Sequence, residues 1–345
     1  MKIGICGHFG GKEVFLDGQT VKTKMVYDAL SAHFGQDNLK KVDTYKIKKR
    51  LIPVLFGTVG IFLSCRVCVM LPAQNGIKIF APLFSFLKRV FRKRIYYAVI
   101  GGWLPSLIEG KDKLVSSLLR FDGIFVETET MKSALESMGF ENVTVLPNFK
   151  RLNMIDNSAV EREVVAPYKL CTFSRVSREK GIETAVSAVT AANKAIGSDA
   201  FSLDIYGQVD GGYAEAFESL KSRFPEYIRY GGMVPFEKST EVLADYSCLL
   251  FPTFYNGEGF AGTLIDAFAS ALPVIASDWK YNPEIVDDEV GIIFKAGDEQ
   301  DLCRVLLEVY NGKYDMSAMR RSCYDRAHHY SFERAVRILA ENIEV

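Results

Sequence analysis

The chain has 345 residues, 48% of them apolar and 24% charged, with 42 Lys+Arg against 42 Asp+Glu. This is ordinary globular composition at a length that makes two domains the natural prior, and it excludes a disordered chain, a fibrous repeat and a disulfide mini-scaffold. The zero net charge hides an asymmetry: residues 1–150 carry 22 cations and 12 acids, whereas residues 151–345 carry 20 and 30. A basic half suggests an anionic partner, either a membrane surface or a phosphorylated ligand. Nucleic acid is the third option, and no recognition motif accompanies the charge. Seven cysteines, an odd count in a long chain, fit a reducing, cytoplasmic compartment. Cys65 and Cys68 form one CxxC without a second pair, so they read as thiols entering a buried strand. The chain opens straight into a strand, without a signal-peptide pattern. The longest apolar run, 51–65, contains Pro53, Gly57 and Gly60 and is too short and broken to span a membrane.

Short apolar runs alternate with longer amphipathic stretches. In the first half, strands are predicted at 2–6, 40–45, 66–72, 95–101, 123–127 and 143–146. Helices are predicted at 21–34, 51–64, 77–92, 104–119 and 130–138. Several strand runs are almost wholly apolar, as strands buried on both faces should be. The rhythm then breaks, and 151–168 reads as a linker. It restarts with strands at 169–173, 201–206, 228–230, 248–251, 273–276 and 291–294. Helices follow at 181–195, 213–224, 238–246, 263–270, 299–310, 316–329 and 332–345. The pattern predicts an α/β protein with two parallel, doubly wound sheets, one over 1–150 and one over 169–330. The last segment, 331–345, is a helix free to pack back on the first domain.

Two segments carry chemistry. In Ser174-Arg175-Val-Ser-Arg178-Glu-Lys180-Gly181, a strand end, a loop and a helix start bring cations and free amides to one sheet edge. In Asn256-Gly-Glu258-Gly259-Phe260-Ala261-Gly262, a glutamate is bracketed by glycines just before a helix, and Asp266 is placed on that helix's first turn. Two carboxylates at this spacing suit acceptance of hydrogen bonds from sugar hydroxyls.

These residues resemble the donor-binding domain of the retaining GT-B glycosyltransferases of family four, the glycosyl transferases group 1. That family has a G-R-(x)4-K-G segment, and this chain has Ser174-Arg175 through Lys180-Gly181. It has E-(x)7-E followed by a small-residue turn and a Pro-Val-Ile strand. This chain has Glu258, Asp266 and Ser270-Ala271-Leu272-Pro273-Val274-Ile275. Residues 203–207 and 230–233 match two further family strands. The resemblance implies two Rossmann-like domains facing a cleft, and a metal-independent enzyme without a cofactor. That enzyme moves one sugar, with retention, from a UDP- or GDP-sugar to a glycan or lipid-linked acceptor, as in capsule or exopolysaccharide assembly. It implies that Arg175 and Lys180 hold the diphosphate, Asp266 the ribose and Glu258 the transferred sugar, with the backbone of Gly259, Phe260 and Ala261 facing sugar or phosphate. Gly18 falls where the family's phosphate-facing glycine lies, and Gly10-Gly11 is the second choice. Two departures stand out: the second acid is Asp, and Ala271 replaces a glycine.

A nicotinamide-dependent enzyme is the rival reading, on Gly4, Gly7 and Gly10 with Asp43 as ribose acid, though no helix pattern begins at Gly10. A non-catalytic partner subunit of the same fold is another. The cations at 46–50 precede one apolar helix, and those at 88–94 end another, which carries Phe80, Phe84, Phe86, Leu87 and Phe91. They read either as attachment to an anionic leaflet at the inner face of a membrane or as solvated charges beside core aromatics.

Overall fold

The structure, a computed structural model, describes residues 1–11, 13 and 18–344. It divides into unit 1, residues 1–150 with 331–345, and unit 2, residues 151–330. Unit 1 contains strands β1 (Ile3–Gly7), β2 (Leu39–Asp43), β3 (Val67–Leu71), β4 (Arg94–Ala98), β5 (Gly123–Val126) and β6 (Val143–Val145). Unit 2 contains β7 (Tyr168–Phe173), β8 (Phe201–Tyr206), β9 (Ile228–Gly232), β10 (Cys248–Phe251), β11 (Val274–Ser277) and β12 (Gly291–Phe294). All pairings are parallel. Every residue of β1 and β3 is buried, because helices cover both faces of a parallel sheet.

The sheet of unit 1 has the order β2-β1-β3-β4-β5-β6. Its core gathers Ile3, Ile5, Val67, Val69 and Leu71 with Val26 and Leu30 of the helix Gly18–Phe34. Phe332, Ala335, Leu339 and Ile343 join the same cluster from the closing helix Phe332–Glu344, one stripe at helical spacing. Tyr96 and Thr144 each donate a hydrogen bond of 3.0 Å to Asn342 and fix that helix along its axis.

The sheet of unit 2 has the order β12-β11-β10-β7-β8-β9. Counted within the unit, this is the doubly wound order 6-5-4-1-2-3, which reverses direction between β7 and β10. Ligands of open α/β sheets bind outside the carboxyl ends of the strands at such a switch point. The segment preceding β7 is anchored on this unit by buried Arg320, which donates to the carbonyls of Ala159 (2.8 Å) and Val160 (3.2 Å).

Several boundaries differ from the sequence expectation. The single helix expected over 104–119 is two, Leu104–Ile108 and Asp112–Leu118, because Gly110 between them adopts φ 68°. The helix expected from Val21 begins at Gly18. The short helices Asn157–Val160 and Asn282–Ile285 were not expected, since four residues complete hardly more than one turn and carry no readable period. Among the described residues, no helix is long and apolar enough to cross a membrane.

Candidate functional site

The candidate residues of unit 2 lie at its switch point. After β7 the chain makes a 3-10 turn, Arg178–Lys180, and reverses through Gly181 at φ 71°. A Cβ on Gly181 would stand 2.0 Å from the Pro252 carbonyl oxygen, so only glycine lets this turn close on the exit of β10. The approach is sealed by a hydrogen bond of 2.8 Å from the Phe254 amide to the Glu179 carbonyl. Lys180 is thereby delivered to Glu258, 78 residues away, with Nζ 2.5 Å from Oε2. The Thr253 hydroxyl donates to the same oxygen at 2.7 Å. The ammonium also lies 5.2 Å from the centroid of the Tyr255 ring and 5.7 Å from that of Phe251. The side chains of Lys180 and Glu258 are 15% and 9% exposed, so their charges meet largely out of water.

Glu258 is itself held. Its amide donates to the Tyr255 carbonyl at 3.0 Å. From the carboxyl end of β11, Trp279 Nε1 donates to that same Tyr255 carbonyl at 2.8 Å, and Lys280 Nζ donates to the carbonyl of Asn256. Burial pulls the Lys280 ammonium below its usual pKa, against the opposing pull of the Glu258 charge. Sequence reasoning missed Thr253, Trp279 and Lys280. Their signal was position alone: each follows a strand of the same sheet, as Lys180 and Glu258 do.

Beyond Glu258, Gly259 and Phe260 are buried, and the Phe260 ring packs edge-on to Tyr330 at 4.7 Å. Ala261 precedes the helix Gly262–Ala269 without a side-chain cap, which leaves the first amides of the helix to another acceptor. Asp266 is buried and opens the second turn of this helix, one turn later than expected. The dipole stabilisation that a first-turn acid would supply is correspondingly weaker there. Arg175 is not brought to the Lys180–Glu258 pair; its ion-pair partner is Asp210, at 3.8 Å, and both side chains are well exposed. Its loop is nonetheless fixed to the segment after β8: the Val176 amide donates to the Gln208 carbonyl and the Val176 carbonyl accepts from the Asp210 amide, each at 2.9 Å. Gly207, at φ 134°, also lies where a Cβ would meet the Ser174 carbonyl at 1.8 Å.

Ala271 follows the same helix at φ 49°, fully buried. Left-handed backbone costs an L-residue roughly 1–2 kcal/mol, and glycine loses roughly 0.5–1 kcal/mol in chain entropy. Ala271→Gly is therefore expected to leave stability unchanged or raise it by up to about 1 kcal/mol. A loss of several kcal/mol on thermal denaturation would contradict this account of the turn.

In unit 1, Gly18 is the exposed first residue of its helix, and an added Cβ would meet nothing within 4 Å. Gly10 and Gly11 both take positive φ, 86° and 61°. Asp17, just before Gly18, lies outside the described residues. His8 hydrogen-bonds Thr20 at 2.8 Å. The nicotinamide reading fails on the same loop. Gly4 and Gly7 lie inside β1, where a Cβ would press on Ile61 and Thr23 at 2.6 and 2.8 Å. The Asp43 carboxylate is occupied by the amides of Phe9 (2.9 Å), Gly11 (2.8 Å) and Tyr45 (2.9 Å). Burial pushes its pKa up, and these three amides together outweigh it and bring the pKa down. Cys65 and Cys68 are buried free thiols. Among the described residues, no three His, Cys, Asp or Glu side chains gather as a metal site.

Residues 167–311 match the family model described as Glycosyl transferases group 1. This segment belongs to that family. A Streptococcus gordonii relative, the UDP-N-acetylglucosamine–peptide N-acetylglucosaminyltransferase GtfA subunit, is 30% identical over 177 residues, 49% of this chain and 33% of that protein. The amylovoran biosynthesis glycosyltransferase AmsK of Erwinia amylovora is 25% identical over 155 residues, 44% of this chain and 38% of that protein. The chain thus covers less than half of the length of these curated relatives. Among solved structures, Anabaena HepE in complex with UDP superposes with a TM-score of 0.77 over 100% of both chains at 13% identity. At that identity the likeness concerns the fold, and the fold is that of the GT-B glycosyltransferases: two Rossmann-like units, each a six-stranded parallel sheet flanked by helices.

Proposed function

We propose that this protein is a retaining glycosyltransferase that moves one sugar from a UDP-sugar to a glycan or lipid-linked acceptor at an anionic membrane surface. The observation that carries the donor half is the Lys180–Glu258–Thr253 cluster at the β7/β10 switch point, four residues before an uncapped helix start. Without donor, Lys180 and Glu258 neutralise each other. A diphosphate draws Lys180 to itself, and Glu258, still held by Thr253, turns its free lone pairs to sugar hydroxyls. Breaking the sugar–phosphate bond develops negative charge on the leaving phosphate, and preorganised cations there lower the barrier. Lys180 fills that role, Arg175 swings from its exposed partner to assist, and the amides at 259–262 take the remaining oxygens. Asp266 accepts from the ribose. UDP is favoured as the nucleotide because HepE, and the pneumococcal O-GlcNAc transferase GtfA (18% identical, TM-score 0.59), were each solved with it.

The test is thermal denaturation with a panel of UDP- and GDP-sugars. A ligand at 100 times its dissociation constant adds about 2.7 kcal/mol. UDP-sugars are expected to raise the midpoint of unit 2, and slow hydrolysis of the best one is expected to survive EDTA and release the α-sugar from an α-linked donor. A panel that leaves the midpoint unmoved overturns the donor reading; loss of activity in EDTA, restored by Mg²⁺, overturns its metal independence.

A further inference from the structure

The helices Ile47–Ser64 and Gln74–Phe91 lie on one face of the unit 1 sheet. The steps β2 to β3 and β3 to β4 advance in the same direction, and right-handed crossovers then place both helices on the same side. They touch through Phe62 and Phe84, whose ring centroids are 5.1 Å apart. Their inward residues, including Val54, Ile61, Ile77 and Phe80, are buried as core. This settles three of the five apolar side chains singled out here: Phe80, Phe84 and Leu87 are core, whereas Phe91 is half-buried and Phe86 exposed. The outward faces are apolar as well. Ile52, Phe56 and Leu63 form one stripe, and Ile79, Phe86 and Val90 form the other, with Phe56 75% and Phe86 62% exposed. Exposed stripes of this size on a soluble domain mark an interaction surface.

The charge around the stripes selects the occupant. Between Asp43 and Glu109 the chain carries eleven cations and no acid. Lys46 is paired with Glu13 at 2.9 Å and Lys88 with Asp122 at 2.7 Å. Lys48, Lys49, Arg50, Lys78, Arg89 and Arg92 are exposed and make no ion pair among the described residues. They bracket the stripes at both ends. A second copy of this face would set cations against cations, and a protein partner would have to be both apolar and wholly acidic. An anionic leaflet offers hydrocarbon beside negative headgroups and satisfies both at once.

We infer that this face docks unit 1 on an anionic lipid leaflet, with Phe56, Phe86 and their aliphatic neighbours entering the acyl boundary while the flanking cations meet the headgroups. This deepens the membrane part of the reading above and rests on unit 1 alone, so it stands or falls separately from the donor site.

The experiment is flotation of the full chain with vesicles of phosphatidylcholine, with and without phosphatidylglycerol, across a salt series. Binding is expected to require phosphatidylglycerol. Combined Lys48, Lys49 and Arg50→Gln is expected to weaken it by roughly fivefold per cation at low salt and little at high salt. Combined Phe56→Ser and Phe86→Ser is expected to weaken it by at least about tenfold at every salt concentration. Phe56→Trp fluorescence should be quenched by brominated acyl chains, whereas Tyr310→Trp, in unit 2, should not. A retained thermal midpoint shows that each variant is folded. Absence of flotation, equal binding to neutral vesicles, or unquenched Phe56→Trp overturns the inference. So does self-association of the wild type that Phe56→Ser abolishes, which would make the face a contact between copies. A missing response to UDP-sugars with flotation intact would instead count only against the donor reading.

Discussion

Lys180→Ala is expected to lower turnover by about 10²–10³, the cost of removing one preorganised charge stabiliser from a leaving group. The structure explains why the effect should be large. Lys180 is ordered before any donor arrives, by Glu258 at 2.5 Å and by the rings of Tyr255 and Phe251. On the proposed role it passes from Glu258 to the diphosphate when the donor binds, and so is in place before charge develops. Arg175→Ala is expected to fall at the lower end of that range, since Arg175 is exposed and its ion pair among the described residues is with Asp210 at 3.8 Å. Lys180→Ala also strips the cation from a largely buried carboxylate, so it should cost about 1–3 kcal/mol of stability in unit 2. Two effects are thus superimposed, and a double variant separates them. Lys180→Met with Glu258→Gln removes both charges and should regain most of the stability without regaining turnover. If Lys180→Ala is folded and turns over at close to the wild-type rate, Lys180 does not serve the diphosphate.

The strands were legible because a strand buried on both faces must be apolar throughout, and β1, β3 and β10 read that way in one dimension. The break at Gly110 was not, because the amphipathic pattern runs on across it and only the sign of φ ends the helix. Lys180 and Glu258 were singled out as candidates because glycines and strand ends mark them locally, and the structure brings the two together. Thr253 and Lys280 carry no such mark; they matter only once β7, β10 and β11 lie side by side. The same limit applies to Phe86. Its neighbours Phe84 and Leu87 are of like chemistry, and helix phase alone separates the exposed ring from the buried ones.

The buried pair Lys22–Glu127 lies furthest from anything a local pattern could show, and it sets the largest expected loss of stability. Lys22, on the helix after β1, and Glu127, at the end of β5, are each 4% exposed, with Nζ 3.6 Å from Oε1. The ammonium donates to the Pro147 carbonyl at 3.2 Å and lies 4.8 Å from the Phe149 ring centroid, so one cation ties three segments of unit 1. Lys22→Met keeps the aliphatic volume and removes the ammonium 3.6 Å from a buried carboxylate. It is expected to cost about 3–5 kcal/mol, seen as a lowered midpoint for unit 1. Lys22→Met with Glu127→Gln should recover much of that loss. Burial draws the native Lys22 pKa below 10.5, with Glu127 opposing. The unfolded chain therefore holds this proton more tightly than the native one in the window just below pH 10.5, and native stability rises with pH there. Wild type should gain on Lys22→Met as pH climbs through that window, by differential scanning of both proteins. A single variant as stable as wild type, or a difference independent of pH, would mean that the pair contributes no more than its packing.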